Sequence, residues 1–93
     1  MAVGILRLYI RIDYVKSLKE KRSVLQPFIK KIQNNYNVSI SELDGSKEFD
    51  RAVLGVAHIS DSRQVSDSKL SKLLNEAEST KGFRVSDYSL EVI

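Results

Sequence analysis

The sequence predicts an α+β sandwich, in which a four-stranded antiparallel sheet is covered on one face by two helices. Two observations carry this prediction. Four segments have the apolar pattern of strands, and two have apolar residues at helical intervals. They follow one another in the order β-α-β-β-α-β within 93 residues, a length that supports one hydrophobic core. We therefore expect a single domain over residues 1–93.

The first strand is predicted over Val3–Ile12, where residues alternate between two faces. One face carries Gly4, Leu6, Leu8, Ile10 and Ile12, and the other carries Val3, Ile5, Arg7, Tyr9 and Arg11. Because the first set is apolar throughout, it should be buried. The second set must meet water or a partner.

The first helix is predicted over residues 18–35. Ser17 and Glu20 have the spacing of a capping box, in which each side chain satisfies a free main-chain N–H. One apolar stripe is formed by Leu25, Phe28, Ile29, Ile32 and Tyr36. Pro27 lies away from that stripe, so we expect it to bend the helix without ending it.

The next two strands are predicted over Asn37–Leu43, with Val38 and Ile40 inward, and over Arg51–Ser60. Asp44-Gly45-Ser46 is typical of a turn. The second of these strands is apolar on both faces, as expected of a central strand. Gly55 within it indicates the close approach of a neighbour.

The second helix is predicted to begin at a cap formed by Asp61, with Gln64 at the matching third position. Its buried face should consist of Leu70, Leu73, Leu74 and Ala77. Lys81-Gly82 ends it, and Phe83–Ile93 returns as a strand with Tyr88, Leu90 and Val92 inward. With right-handed crossovers, this order gives a ferredoxin-like βαββαβ sandwich whose first and third strands are central.

Composition excludes several classes of site. The chain has no cysteine and one histidine, which excludes disulfides, thiolate metal sites and any site that needs two imidazoles. Neither a membrane-spanning apolar run nor a signal-peptide pattern is present in the sequence. We therefore expect a cytoplasmic protein that has no membrane role and no cofactor.

Charge is distributed unevenly along the chain. Residues 1–36 carry eight basic and two acidic side chains, a balance of +6, whereas residues 37–93 have a balance of −3. Four of the cations, Lys16, Lys19, Lys21 and Arg22, surround the start of the first helix. Cations are mildly unfavourable there, but together with the free N–H groups they can bind a phosphate. The alternative is that these long side chains simply extend into water.

The uncovered sheet face offers a second candidate surface. Arg7 and Arg11 flank Tyr9, a pattern that can hold phosphates and stack a base. An RNA recognition motif has aromatic residues on both central strands, and the third strand, Arg51–Ser60, has none. The chain is therefore not an RNA recognition motif. The alternative is a homodimer interface made by Val3, Ile5 and Tyr9.

No catalytic arrangement is recognised in the sequence. It shows no Ser/His/Asp pattern, no glycine-rich phosphate loop and no phosphate cradle of the acylphosphatase type after the first strand. His58 is interpreted as a structural histidine, and Asp44, Glu48 and Asp50 as a solvated acidic loop without calcium-loop spacing. We therefore predict that the chain is not an enzyme.

Three blocks, Ser17–Ile32, Tyr36–Leu43 and Arg51–Ala57, resemble the YlxP-like family of small bacterial proteins of unknown function. The resemblance implies a ferredoxin-like fold and a gene neighbourhood shared with transcription-elongation and translation-initiation factors and a ribosome-binding factor. It supplies no catalytic residue. Gln33-Asn34-Asn35 departs from the further basic residues expected of relatives at the end of this helix.

Three functional hypotheses follow, of which the third is a small-ligand sensor of the kind that this fold also supports. The first is a non-enzymatic accessory protein that contacts ribosomal or other structured RNA. Its contacts would be Lys16, Lys19, Lys21 and Arg22, with Arg7, Arg11 and Lys30. The second is a homodimeric interaction module that uses the uncovered sheet face and has no role with nucleic acid.

Overall fold

The computed structural model of the protein describes residues 1–43 and 47–93. Its elements are β1 (Ala2–Arg11), α1 (Leu18–Asn35), β2 (Ser39–Glu42), β3 (Arg51–Ser60), α2 (Arg63–Glu78) and β4 (Arg84–Val92). This is the predicted order of strands and helices. The turn predicted at Asp44-Gly45-Ser46 lies outside the described residues.

The strands form one sheet in the order β2-β3-β1-β4, and every neighbouring pair is antiparallel. β1 and β3 are therefore central, as predicted. Both helices contribute to a single core on one side of the sheet. The ferredoxin-like fold class is thus confirmed.

The alternation of side chains along β1 determines which of its residues enter the core. Its inner residues Leu6, Leu8 and Ile10 are fully buried, and so is Ile12 just beyond the strand. The helices contribute buried residues from their predicted apolar faces, namely Leu25, Phe28 and Ile32 from α1 and Leu70, Leu73, Leu74 and Ala77 from α2. Ile29 and Tyr36, the other two residues of the predicted stripe, are half-buried and pack against this core. The ring of Phe28 meets that of Phe83 edge to face, with centroids 5.2 Å apart.

α1 begins and ends at the predicted residues. The Ser17 hydroxyl accepts the N–H of Glu20 at 3.1 Å. The Glu20 carboxylate accepts the N–H of Lys16 at 3.3 Å, so the returning half of the capping box is displaced by one residue. The helix continues through Pro27, which lies on its exposed side.

α2 begins differently from the prediction. Its N-cap is Ser62, whose hydroxyl accepts the N–H of Val65 at 3.0 Å, and not Asp61. Ser62 adopts the extended conformation that a cap requires, which moves the start of the helix by one residue.

β2 is shorter than predicted, and β4 contains an irregularity. Tyr9 pairs with Asp87 while Ile10 pairs with Val85, so Ser86 is the extra residue of a β-bulge. Beyond the bulge, Tyr88 lies opposite Leu8 on the helix side, as predicted. Because β4 is an edge strand, the Tyr88 side chain is nonetheless 49% exposed. The Asp87 carboxylate accepts the N–H of Tyr88 at 2.8 Å.

Two glycines of the sheet provide a matched test of this packing. A Cβ on Gly4 would lie 2.6 Å from the fully buried Leu70, so Gly4→Ala should cost about 1–3 kcal/mol through overpacking. A Cβ on Gly55 would meet the exposed side chain of Leu43 at 2.7 Å, and that side chain can move away. Gly55→Ala should therefore leave the free energy of unfolding in urea nearly unchanged. Equal losses in the two variants would contradict this account.

Candidate functional site

The solvent side of α1 carries a line of cations. Lys19, Arg22 and Lys30 are exposed, and their helical spacing places them near one side of the helix. Lys16, also exposed, precedes the helix. We call these four residues the α1 cationic face. Their side chains make no ion pair within residues 1–43 and 47–93.

Lys21 does not belong to this face. Its side chain is 3% exposed, and its Nζ lies 3.0 Å from a carboxylate oxygen of Glu42. The same nitrogen donates a hydrogen bond to the main-chain carbonyl of Glu48 at 2.9 Å. Lys21 thus connects α1 to β2 and to the segment before β3, and it is not accessible to a phosphate. The sequence contains a signal for this burial, since Lys21 shares the helical spacing of Leu25, Phe28 and Ile32.

We call the sheet surface opposite the helices the open sheet face. It carries Arg7 and Arg11, which therefore lie on the other side of the sheet from the α1 cationic face. Arg7 lies 3.6 Å from the carboxylate of Glu91. The cations predicted from the sequence are consequently divided between two surfaces and cannot contact one small ligand together.

The open sheet face changes character from one end to the other. At one end Ile59, Val3 and Ile93 lie side by side across β3, β1 and the end of β4. At the opposite end the corresponding residues are Arg51, Arg11 and Arg84. The register thus creates an apolar row and an arginine row on the same surface.

Of the residues predicted as an interface, Val3 and Ile5 lie in the apolar half of this face, whereas Tyr9 lies opposite Val53 in the row next to the arginine row. Val3 and Ile5 are half-buried, and Tyr9 is 38% exposed. The side chain of Leu43 lies over Gly55, which is the close approach that this glycine predicted. Nearby Ile59 is 59% exposed. The half of the surface that carries Val3, Ile5 and Ile59 is therefore largely apolar.

The acidic loop predicted to be solvated takes part in ion pairs. Arg51 Nε lies 3.2 Å from a carboxylate oxygen of Glu48 and 3.9 Å from one of Asp50. Asp44, the third residue of the predicted loop, lies outside the described residues. The carboxylates of Glu48 and Asp50 therefore partly neutralise the positive charge of Arg51. The sequence alone does not indicate these ion pairs.

His58 faces the helices and is buried. Its Nδ1 lies 2.9 Å from the hydroxyl of Ser66, which in turn lies 2.7 Å from that of Ser60. Ser60 donates to the main-chain carbonyl of Ser62 at 2.7 Å. The sequence presents Ser66 as one of several helix serines, whereas it is fully buried in this network and connects α2 to β3.

A second polar contact joins the two helices. The hydroxyl of Tyr36 donates to Glu76 at 3.1 Å, and Lys31 lies 3.5 Å from the other oxygen of that carboxylate. Burial raises the pKa of Tyr36 above 10.0, and the hydrogen bond to Glu76 and its negative charge raise it further. This contact holds the end of α1 against α2.

Among the described residues, no group of three His, Asp or Glu side chains comes together as a metal site requires. Neither helix combines the length and the apolar character that a membrane crossing needs, within the part of the chain that the structure describes.

The architecture defines a small α+β protein of ferredoxin-like fold. The chain belongs to the family DUF503, described as "Protein of unknown function (DUF503)", whose sequence pattern matches residues 3–90. Over 58 residues it is 41% identical to the "Uncharacterized protein YlxP" of Bacillus subtilis (strain 168), covering 62% of this chain and 63% of that protein. The match thus spans less than two thirds of this relative. The predicted resemblance to YlxP-like proteins is confirmed.

A solved structure shares the fold. It is a variant of SnoaB, a cofactor-independent oxygenase from Streptomyces nogalater. The two structures superpose with a TM-score of 0.52 and 10% identity, covering 99% of this chain and 90% of that chain.

This comparison contradicts the prediction that the chain is not an enzyme. That prediction depended on missing catalytic motifs and missing metal ligands, whereas SnoaB is an oxygenase that works without a cofactor. Missing catalytic motifs and missing metal ligands are therefore no basis for excluding an enzyme of this fold. At 10% identity the likeness concerns the fold, and it transfers no residue role to this chain.

The burial of Lys21 leads to a stability prediction. Lys21→Gln removes a charged hydrogen-bond donor from Glu42 and from the Glu48 carbonyl, so we expect a loss of about 1–3 kcal/mol in the free energy of unfolding. Lys19→Gln, on the exposed side of the same helix, should change it by less than about 0.5 kcal/mol. Urea denaturation measures both variants. Equal stability in the two would show that the buried contact contributes nothing.

Proposed function

We propose that this protein is an accessory factor that contacts structured RNA, ribosomal RNA among them, through the α1 cationic face. The observation that carries the proposal is the solvent side of α1. Its cations lie there without acidic partners in the described chain, and Glu20 is the sole acidic residue of the helix. Such a surface attracts phosphates and releases their counterions.

The dimensions of this face suit a nucleic-acid backbone. Lys19 and Lys30 are eleven residues apart, which is about 16 Å along a helix that rises 1.5 Å per residue. The phosphates of one duplex strand follow one another every few ångströms along the axis, so the face can contact several of them.

The remaining exposed residues of this side favour RNA. Gln26, Gln33 and Asn34 share the solvent side with the cations. Amide side chains both donate and accept hydrogen bonds, and the 2′-hydroxyl groups of RNA do the same. Double-stranded RNA is recognised mainly by its shape and by such backbone contacts. The proposal implies a cytoplasmic location, where ribosomes are found.

The test is binding to a labelled ribosomal RNA hairpin, measured by fluorescence anisotropy at about 50 and 200 mM salt. Three or four phosphate contacts predict a slope of about −2 to −4 for log affinity against log salt. Lys19→Glu combined with Arg22→Glu should weaken binding at least tenfold.

The matched control is Lys69→Glu combined with Lys72→Glu, two exposed lysines of α2. It changes the net charge by the same amount, and it should retain most of the affinity. If both pairs of substitutions weaken binding equally, the attraction depends on net charge and the proposed surface is wrong. Absence of binding at the lower salt concentration would also reject it.

The alternative function is self-association through the open sheet face, with no role for nucleic acid. The apolar row favours a second copy of the chain as the partner, because three aliphatic side chains stand side by side there. A two-fold interface places the same patch on both subunits, so an apolar row on one can meet that on the other.

Multi-angle light scattering across concentration tests this alternative. Ile59→Lys places a charge in the apolar row, so it should convert a dimer to a monomer at a protein concentration of about 100 μM. A dissociation constant in this range corresponds to an association free energy of about 5 kcal/mol. Val65 is also an exposed aliphatic residue, but it lies on α2, away from the apolar row. Val65→Lys is therefore the matched control and should remain dimeric. A wild-type protein that is monomeric at that concentration would reject self-association.

A further inference from the structure

The arginine row of the open sheet face is an unfavourable arrangement that the fold does not require. Arg11 lies directly opposite Arg51 on β3 and directly opposite Arg84 on β4. Like charges in directly opposed positions destabilise a sheet. Positions at which a sequence departs from such a rule are often functional.

The acidic residues around the row compensate its two ends but not its centre. Arg51 pairs with Glu48 and Asp50, and Arg84 Nε lies 3.6 Å from the carboxylate of Asp13. Arg11, which is half-buried, makes no ion pair with any residue that the structure describes. The guanidinium of Arg11, at the centre of the row, is therefore able to bind an anion.

A pocket of about 280 Å³ lies at this row. Its lining includes Arg11 and Arg51 as cations, Tyr9 and Val53 as an aromatic and an aliphatic surface, and Ser86 at the bulge of β4. β-Bulges commonly redirect side chains next to binding sites. Ser86 is held in place by donating to the carbonyl of Tyr9 at 3.0 Å. The volume is close to the lower limit for small-molecule sites.

Glu48 also lines the pocket and lies against Arg51 at its Nε. A ligand anion would therefore be contacted chiefly by Arg11, with the partly neutralised guanidinium of Arg51 beside it. Guanidinium groups bind phosphate oxygens in pairs, and they hold a planar ring by stacking. The side chain of Tyr9 adds a second flat surface beside them.

We propose that this pocket binds a small phosphate monoester that carries a planar ring, as a nucleoside monophosphate does. Arg11 holds the phosphate with help from Arg51, and the ring rests against Tyr9 and Val53. The site is distinct from the α1 cationic face, because it lies on the opposite side of the sheet.

The test is a titration of the isotopically labelled full chain with adenosine monophosphate, followed by the amide resonances of Tyr9, Arg11, Val53 and Ser86. We expect these four to shift together and to reach saturation at millimolar concentration or below. Adenosine and inorganic phosphate, each lacking one half of the ligand, should bind at least tenfold more weakly.

Variants separate this site from the proposed function. Arg11→Gln should weaken the binding of adenosine monophosphate at least tenfold, whereas Arg22→Gln on α1 should leave it unchanged. Since Arg11→Gln also relieves two like-charge contacts, its unfolding temperature should be equal to or higher than that of the wild type. Tyr9→Leu, which keeps apolar bulk without the ring, is a second variant and should weaken binding severalfold.

Two results would overturn the inference. One is an absence of shifts at the four resonances when adenosine monophosphate reaches about 10 mM, a concentration that would populate even a site of millimolar affinity. The other is unchanged affinity in Arg11→Gln. Neither result would bear on RNA binding by α1, because the RNA experiment uses residues that this pocket does not contain.

Discussion

The pairing of β1 with two long neighbours determines most of this structure. β1 pairs along its length with β3 on one side and with β4 on the other. Since its side chains alternate, each pairing also fixes which residues of the neighbouring strands share a face. Leu6, Leu8 and Ile10 thereby select the side on which the helices pack. The same register places three arginines in one row on the other side.

The two sides of the sheet offer separate chemistry as a result. On the helix side, the outer surface is the α1 cationic face. On the other side, the open sheet face carries aliphatic residues at one end and arginines at the other. A ligand on one surface does not block the other, because the sheet and its core lie between them.

Local patterns predicted the fold because they depend on residues close in sequence. The alternation of β1 and the spacing of Leu25, Phe28 and Ile32 need no knowledge of a partner. The arginine row depends on the register between strands distant in sequence, which no local pattern contains. Lys21 is an intermediate case, because its helical position indicated burial but its charge suggested exposure. Its acidic partner lies on β2, and only the folded chain brings the two together.

The edge strand β4 has a consequence for the solubility of the folded chain. Exposed sheet edges readily pair with other chains, and this leads to aggregation and to fibrils. Here the bulge at Ser86 interrupts the regular edge, and the Asp87 side chain occupies the N–H of Tyr88. β4 also carries the charged side chains of Arg84, Asp87 and Glu91, which are costly to bury in an edge-to-edge contact. Copies of this protein are thereby discouraged from extending one another's sheets into open-ended assemblies.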